Sequence, residues 1–292
     1  MPITLPVQLG EPRTEQGITL VPLFPRTQPR AHYLTLDVAA TKGLTVDEVS
    51  EAGSVPELVV TNPLAHDVLL FDGEELIGAK QNRILNISVL VAAGSTTRVP
   101  VSCVEVGRWS RSGRFAVASH AANPELRRRK AVTLHDAPTA RGIAQNEVWD
   151  TVAATAAEAG VASRTGAHAD TFAARRTTID EIATAFPLQP GQCGAIVLLP
   201  SSACLDYVSR PDAWAGLYPR LLRGYLFDSV AAAVGGAPSP NAAEGLVASL
   251  AGATATRRPS PGRGEDVRAA AKGVTMTGLE VEGELVQVSA YA

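Results

Sequence analysis

Apolar positions in the first third of the chain come in short runs closed by turn residues. Gly17–Phe24 is one such run, stopped by Pro25, and Leu58–Val60 ends at Asn62-Pro63. Val68–Phe71 enters Asp72-Gly73, a dipeptide suited to a tight hairpin because both central residues must tolerate positive φ. Ile84–Val91 follows, rich in β-branched residues, and Gly94-Ser95 turns it into Thr96–Val101. Closely spaced strands divided by turn signals predict an antiparallel β-sandwich or barrel-like portion.

The period then lengthens. Gln145–Glu158 carries Val148, Val152 and Ala156 at helical spacing, and Ile179–Phe186 predicts a second helix stopped by Pro187. Trp214–Val234 is the longest helical stretch, with the regular helix expected to begin at Pro219, because proline is tolerated in a first turn. Cys193–Leu199 reads as a buried strand, Ala242–Ala251 as a helix and Arg257–Glu265 as a loop rich in Pro, Gly and Arg. Leu279–Tyr291 reads as a hairpin turning at Glu282-Gly283. Strands followed by helices with interspersed strands predict the α+β class. The expected division is a strand-rich portion over 1–109 and a helix-rich α+β portion over 110–292, packed together as one unit.

Composition narrows the classes of function. The chain has 292 residues, 46% hydrophobic and 19% charged, enough to bury a substantial core. A net charge of −3 with a pI near 6.0 lacks the basic excess of a duplex nucleic-acid binder. Cys103, Cys193 and Cys204 form no CxxC pair, so neither a disulfide framework nor a zinc knuckle is expected, and a reducing cytoplasm fits best. Met1–Gly10 lacks the basic and apolar regions of a signal peptide, and apolar runs such as Ala195–Leu199 are too short to span a bilayer. No membrane association is therefore expected. His32, His66, His120, His135 and His168 are scattered and form no HExxH or other close ligand pair, so no metal is indicated. Each reads as a surface or hydrogen-bonded residue. No GxSxG elbow occurs, which argues against an α/β-hydrolase. The residues single out no cofactor and leave the oligomeric state open.

The densest polar cluster lies between apolar strands: Gly73-Glu74-Glu75, Gly78-Ala79-Lys80-Gln81-Asn82-Arg83, then Asn86. Glycines let the backbone turn sharply or approach a ligand closely. Arg83 is suited to clamp a carboxylate or phosphate, and Glu74 or Glu75 to take a proton or bind a hydroxyl. The same residues also suit a polar hairpin whose charges pair in solvent. Val99, Val101, Cys103 and Glu105 share one strand face, which puts Glu105 at a sheet rim or in a cleft and makes Cys103 a small buried hydrophobe. The run Arg127–Lys130 fits either a solvated helix face or a phosphate site, since four clustered cations repel unless something anionic offsets them. Gly262-Arg263-Gly264 with Arg268 fits either an anion nest or a surface loop.

The order of these residues resembles a known signature. Gly73–Arg83, then Val101-Ser102-Cys103-Val104-Glu105 and Gly107-Arg108-Trp109, resembles the ARG and Rhodanese-Phosphatase-superfamily-associated Protein domain, where ARG denotes ADP-ribosylglycohydrolase. The likeness continues through Gln145 with Val148-Trp149, Gln192 with Gly194, and Gly262-Arg263-Gly264 with Arg268. The family's name records gene association with enzymes of NAD and ADP-ribose metabolism. The resemblance therefore implies a small phosphorylated, nucleotide-like ligand. Glu75 and Glu105 are then the expected catalytic groups. Glu74, Lys80, Gln81, Asn82, Arg83, Trp109 and Arg268 are the expected ligand contacts, with Trp109 stacking on a base. On this reading Glu75, Arg83 and Glu105 converge on one pocket. The alternative is a non-catalytic module that binds a protein partner through the polar hairpin.

Overall fold

A computed structural model describes residues 3–50, 53–54, 56–110, 112–136, 145–199, 202–231 and 241–292. The α+β expectation holds, with antiparallel sheets including a half-barrel and six helices among these residues. A nine-stranded sheet runs in the order Val7–Leu9, Ile18–Pro25, Gly194–Leu198, Ala203–Val208, Glu284–Tyr291, Val274–Val281, Glu265–Ala271, Thr256–Pro259, with Arg13–Glu15 added to Ile18–Pro25. A six-stranded sheet runs Ser112–Ala121, Glu74–Ala79, Arg83–Leu85, Ser95–Cys103, Glu57–Asn62, Thr45–Glu48. The third sheet joins Val89–Val91, Asp67–Leu70 and Tyr33–Thr35, the last two in parallel. No described helix is long and apolar enough to cross a membrane.

These sheets cross the division drawn at residue 109. Ile18–Pro25 pairs with Gly194–Leu198 from the second portion, and Ser112–Ala121 pairs with Glu74–Ala79 from the first. The chain folds back on itself because each half leaves an edge strand that the other half satisfies.

Several elements differ from their sequence reading for identifiable reasons. Ile84–Val91 is not one strand: Arg83–Leu85 joins the six-stranded sheet and Val89–Val91 the three-stranded one. Polar side chains make the break. Asn86 accepts a bond from the Ser102 hydroxyl, and the Ser88 hydroxyl accepts one from the Asp72 amide. The helix expected at Ile179 begins eleven residues earlier, at His168. Thr256–Pro259, which overlaps the start of the expected loop Arg257–Glu265, is an edge strand, a place that tolerates its proline.

Pro211, not Pro219, opens the long helix Pro211–Ala231, and Pro219 lies inside it; residues 232–234 of the expected helix fall outside the described residues. An interior proline costs about 3 kcal/mol. Burial of Trp214, Leu217, Tyr218, Leu221, Leu222 and Tyr225 along one face outweighs that loss.

Candidate functional site

The strand Glu74–Ala79 carries polar groups on both of its faces. Glu75 pairs with Ile84, and Leu76 with Arg83. Because neighbouring positions alternate, Glu75 faces the helices 124–136, 145–158 and 168–183, whereas Arg83 faces the half-barrel with Leu76 and Cys103. The expected convergence of Glu75, Arg83 and Glu105 on one pocket therefore does not occur. Two clusters sit back to back.

The turn that separates them depends on backbone shape. Gly78 has φ +119 and Ala79 φ +41, and the Gly78 amide donates to Asn82 Oδ1 at 3.1 Å. At the strand's start Gly73 has φ +83, and an added Cβ would lie 2.7 Å from the Arg127 Cδ. Both the conformation and the space demand glycine there.

On the half-barrel side, Arg83 is fully buried, and among the described residues its Nη1 donates to Gln81 Oε1 at 3.1 Å, with the Asn82 carbonyl a marginal 3.5 Å away. Its Nε and Nη2 are buried with no hydrogen-bond partner among the described residues. Burial lowers the pKa of this guanidinium. Trp109, 49% exposed, covers it: the Arg83 guanidinium carbon is 5.7 Å and the Lys80 Nζ 5.2 Å from the indole centroid. Beside Lys80 opens a cavity of about 500 Å³ lined by Val46, Glu48, Ala79, Lys80, Arg114 and Phe115.

Gln81 and Asn82 hold this arrangement in place rather than facing solvent. Gln81 Nε2 donates to the Glu105 carbonyl at 2.8 Å, and the Asn82 amide donates to Glu105 Oε2 at 3.1 Å. Glu105 is clamped by Arg108, whose Nε and Nη2 reach its two oxygens at 2.9 and 2.7 Å. Burial raises the Glu105 pKa, but the bonds from Arg108 and the Asn82 amide outweigh it and keep the carboxylate below its usual range. A carboxylate so engaged is a weak general base. Cys103 lies buried against Gln81 and the Glu105 carbonyl, and burial pushes its thiol pKa up, which disfavours the thiolate that a nucleophile needs.

On the helix side, His120 Nε2 and His168 Nδ1 approach the same oxygen of Glu75, Oε2, at 3.0 and 2.7 Å. Burial favours the neutral carboxyl, but the two imidazoles overcome this and bring Glu75 down to about 2. Phe172 stacks on His120 at 3.9 Å and meets His168 edge-on at 4.9 Å, which fixes both rings. Asn123 and Asp228 continue the network beyond His168. These three ligand atoms lie within 4.8 Å of one another, the one group among the described residues with a metal-ligating arrangement. The separations of 45 and 93 residues between Glu75 and the two histidines explain why no ligand pair was legible. Only tertiary pairing brings them together.

The remaining expected contacts serve the framework. Glu74 accepts the Phe71 amide at 2.8 Å and Arg220 Nη2 at 3.0 Å. Arg268 is buried in the nine-stranded sheet, bonded to Asp266 and the Leu134 carbonyl, and does not join either cluster. Arg263 pairs with Asp67 and Glu282, and its amide donates to the Leu90 carbonyl, so the Gly262–Arg268 segment is a structural tie. The cations of Arg127–Lys130 divide. Arg128 and Arg129 pair with Glu125 at the surface, whereas Arg127 meets Asp206, and Lys130 meets Asp72, inside the core. The anions that offset them are the protein's own carboxylates.

No curated protein and no solved structure matches the chain. One family model does, that of the ARG and Rhodanese-Phosphatase-superfamily-associated Protein domain, over residues 6–291. A match that begins before the first strand and runs through the last takes in both polar clusters and all three sheets, and the chain belongs to this family.

Proposed function

We propose that the chain binds a small phosphorylated, nucleotide-like metabolite, of the NAD or ADP-ribose kind, at Arg83, Lys80 and Trp109. One observation carries this reading: Arg83 is buried with two guanidinium nitrogens that no group among the described residues satisfies. A buried cation with open donors is costly unless a ligand supplies the acceptor. A phosphate oxygen matches the fork of Nε and Nη2, and Lys80 adds a second positive charge at the same indole. The half-exposed ring of Trp109 suits stacking on a base, and the adjoining cavity of about 500 Å³ is of a size that takes a nucleotide. Glu105, ionised and held by Arg108, fixes Gln81 and Asn82 at the turn that precedes Arg83. The family's name, which couples it to ADP-ribosylglycohydrolase, supports the same class of ligand.

Thermal shift tests the reading. ADP-ribose or NAD at millimolar concentration should raise Tm in the wild type and leave an Arg83→Gln variant unmoved. Absence of any shift in the wild type with ADP-ribose, NAD and pyrophosphate would favour the second reading, a non-catalytic module that binds a protein partner. The half-exposed Val106 and Trp109 support that alternative.

A further inference from the structure

We propose that Glu75, His120 and His168 bind a divalent first-row transition-metal ion. The site lies on the helix-facing side of the sheet and does not rest on the phosphate-pocket reading. Its three ligands come from the strands Glu74–Ala79 and Ser112–Ala121 and from the first residue of the helix His168–Ala183. Metal–ligand bonds of about 2.0–2.2 Å set neighbouring donor atoms about 3.0–3.5 Å apart. The distance of 3.0 Å from His120 to Glu75 Oε2 already fits that spacing, the 2.7 Å from His168 needs a small outward movement, and the three donor atoms lie within 4.8 Å of one another.

Proton accounting strengthens the case. Asp228 accepts two bonds, from Asn123 Nδ2 at 2.5 Å and from the Glu125 amide at 3.1 Å. That orientation turns the Asn123 Oδ1, an acceptor, toward His168 Nε2 at 3.4 Å, so Nε2 carries the hydrogen. In the neutral imidazole Nδ1 is then a lone pair, and it faces a carboxylate oxygen at 2.7 Å. Two lone pairs at that distance repel, so either a proton or a metal ion stands between them. His120 Nε2 aims at the same oxygen, and Glu75 Oε1 is buried with no hydrogen-bond partner among the described residues. A metal ion engages both imidazoles and either carboxylate oxygen at once. The Asn123–Asp228 pair then acts as the outer hydrogen-bond layer that fixes a metal-binding histidine's tautomer. Phe172, packed on both rings, holds them in place.

The donor set selects the class of ion. Two imidazoles and one carboxylate suit Zn²⁺, Fe²⁺, Mn²⁺ or Co²⁺, and offer too few oxygens for Ca²⁺. Three protein ligands leave at least one coordination position for water or a substrate atom.

The test uses the full chain, stripped with a chelator, desalted and titrated with Co²⁺. We expect close to one bound equivalent per chain, visible absorption bands of a low-coordinate site, and a Tm raised by several degrees. Folded His168→Ala and Glu75→Gln variants, checked by circular dichroism, should lose the bands. X-ray absorption of the wild-type Co²⁺ protein should count two imidazoles and no sulfur, a readout that stands even if a variant does not fold. Folded wild-type protein that retains no Co²⁺ after desalting, with no bands and no shift, overturns the proposal in favour of a proton-held carboxylate–imidazole pair. Undiminished binding in the folded variants, or an oxygen-only or thiolate shell, overturns it equally.

Discussion

Replacing Arg127 by methionine tests whether the basic run is core or surface. Arg127 is fully buried and donates to both oxygens of Asp206 at 2.7 Å and to the Ser289 hydroxyl at 2.9 Å. The variant leaves Asp206 charged and buried, with only the hydroxyls of Tyr225 and Ser289, each at 2.6 Å. Breaking a buried ion pair from one side costs about 3–5 kcal/mol. The two remaining hydroxyl bonds hold part of the carboxylate's solvation, which places the expected loss near the lower end, about 3–4 kcal/mol. Urea denaturation should show this loss at an unchanged m-value. Arg128→Ala, from a side chain 39% exposed, should change stability by less than about 0.5 kcal/mol. Adding Asp206→Leu to Arg127→Met should recover much of the loss, because the orphaned charge is gone. A loss below about 1 kcal/mol for Arg127→Met, equal to that of Arg128→Ala, would refute the reasoning and return the run to a solvated helix face.

Asp228 gives a pH-dependent outcome. Burial raises its pKa from 3.8 to about 6, against the lowering effect of bonds from Asn123 and Glu125. The folded state therefore holds the proton more tightly than the unfolded chain, and the associated stability is full below pH 3.8 and lost as pH rises through about 6. Asp228→Asn lacks this term, so its stability relative to wild type should improve between pH 4 and 7 by at most about 3 kcal/mol, read by urea titration at each pH; a constant difference would count against it. Arg83→Met should raise stability by about 1 kcal/mol in chemical denaturation while abolishing any ligand-induced Tm shift, since it removes unsatisfied donors from the interior. Destabilisation there would mean the guanidinium serves the fold. Gly73→Ala should lower stability by more than about 1 kcal/mol, from its φ of +83 and the crowding against Arg127, and a neutral result in thermal unfolding would contradict that geometry.

Short-range features were the legible ones. Glu282-Gly283 turns the hairpin its composition marks, and Gln145–Glu158 is a helix over the residues its spacing marks. Asp72-Gly73 turns the chain but makes no hairpin: only Gly73 has positive φ, and the strands Asp67–Leu70 and Glu74–Ala79 on either side belong to different sheets. The polar order from Gly73 to Trp109 marked the right stretch of chain. What alternation within a strand could not reveal is which face each polar residue reaches, because both faces of Glu74–Ala79 are buried. Glu75 and Arg83 were grouped by nearness in sequence, and the pairing of Leu76 with Arg83 separates them. His120 and His168 carried no local signal, since their role exists only after the strand Ser112–Ala121 pairs and the helix His168–Ala183 packs. Arg127 and Lys130 misled for a similar reason: their counter-charges, Asp206 and Asp72, lie 79 and 58 residues away.

The back-to-back placement of the two clusters has a consequence for how this chain tolerates change. One strand is the shared wall between a cation-rich pocket and an imidazole–carboxylate group, and the link from Gly78 to Asn82 sets which residue reaches which side. Exchanges of single side chains on one face leave the other face's geometry intact. Inserting or deleting one residue in that link does not: it would reverse the facing of every residue after it and turn the Arg83 guanidinium toward the histidines. The link's length, more than any side chain within it, is what keeps the two chemistries apart.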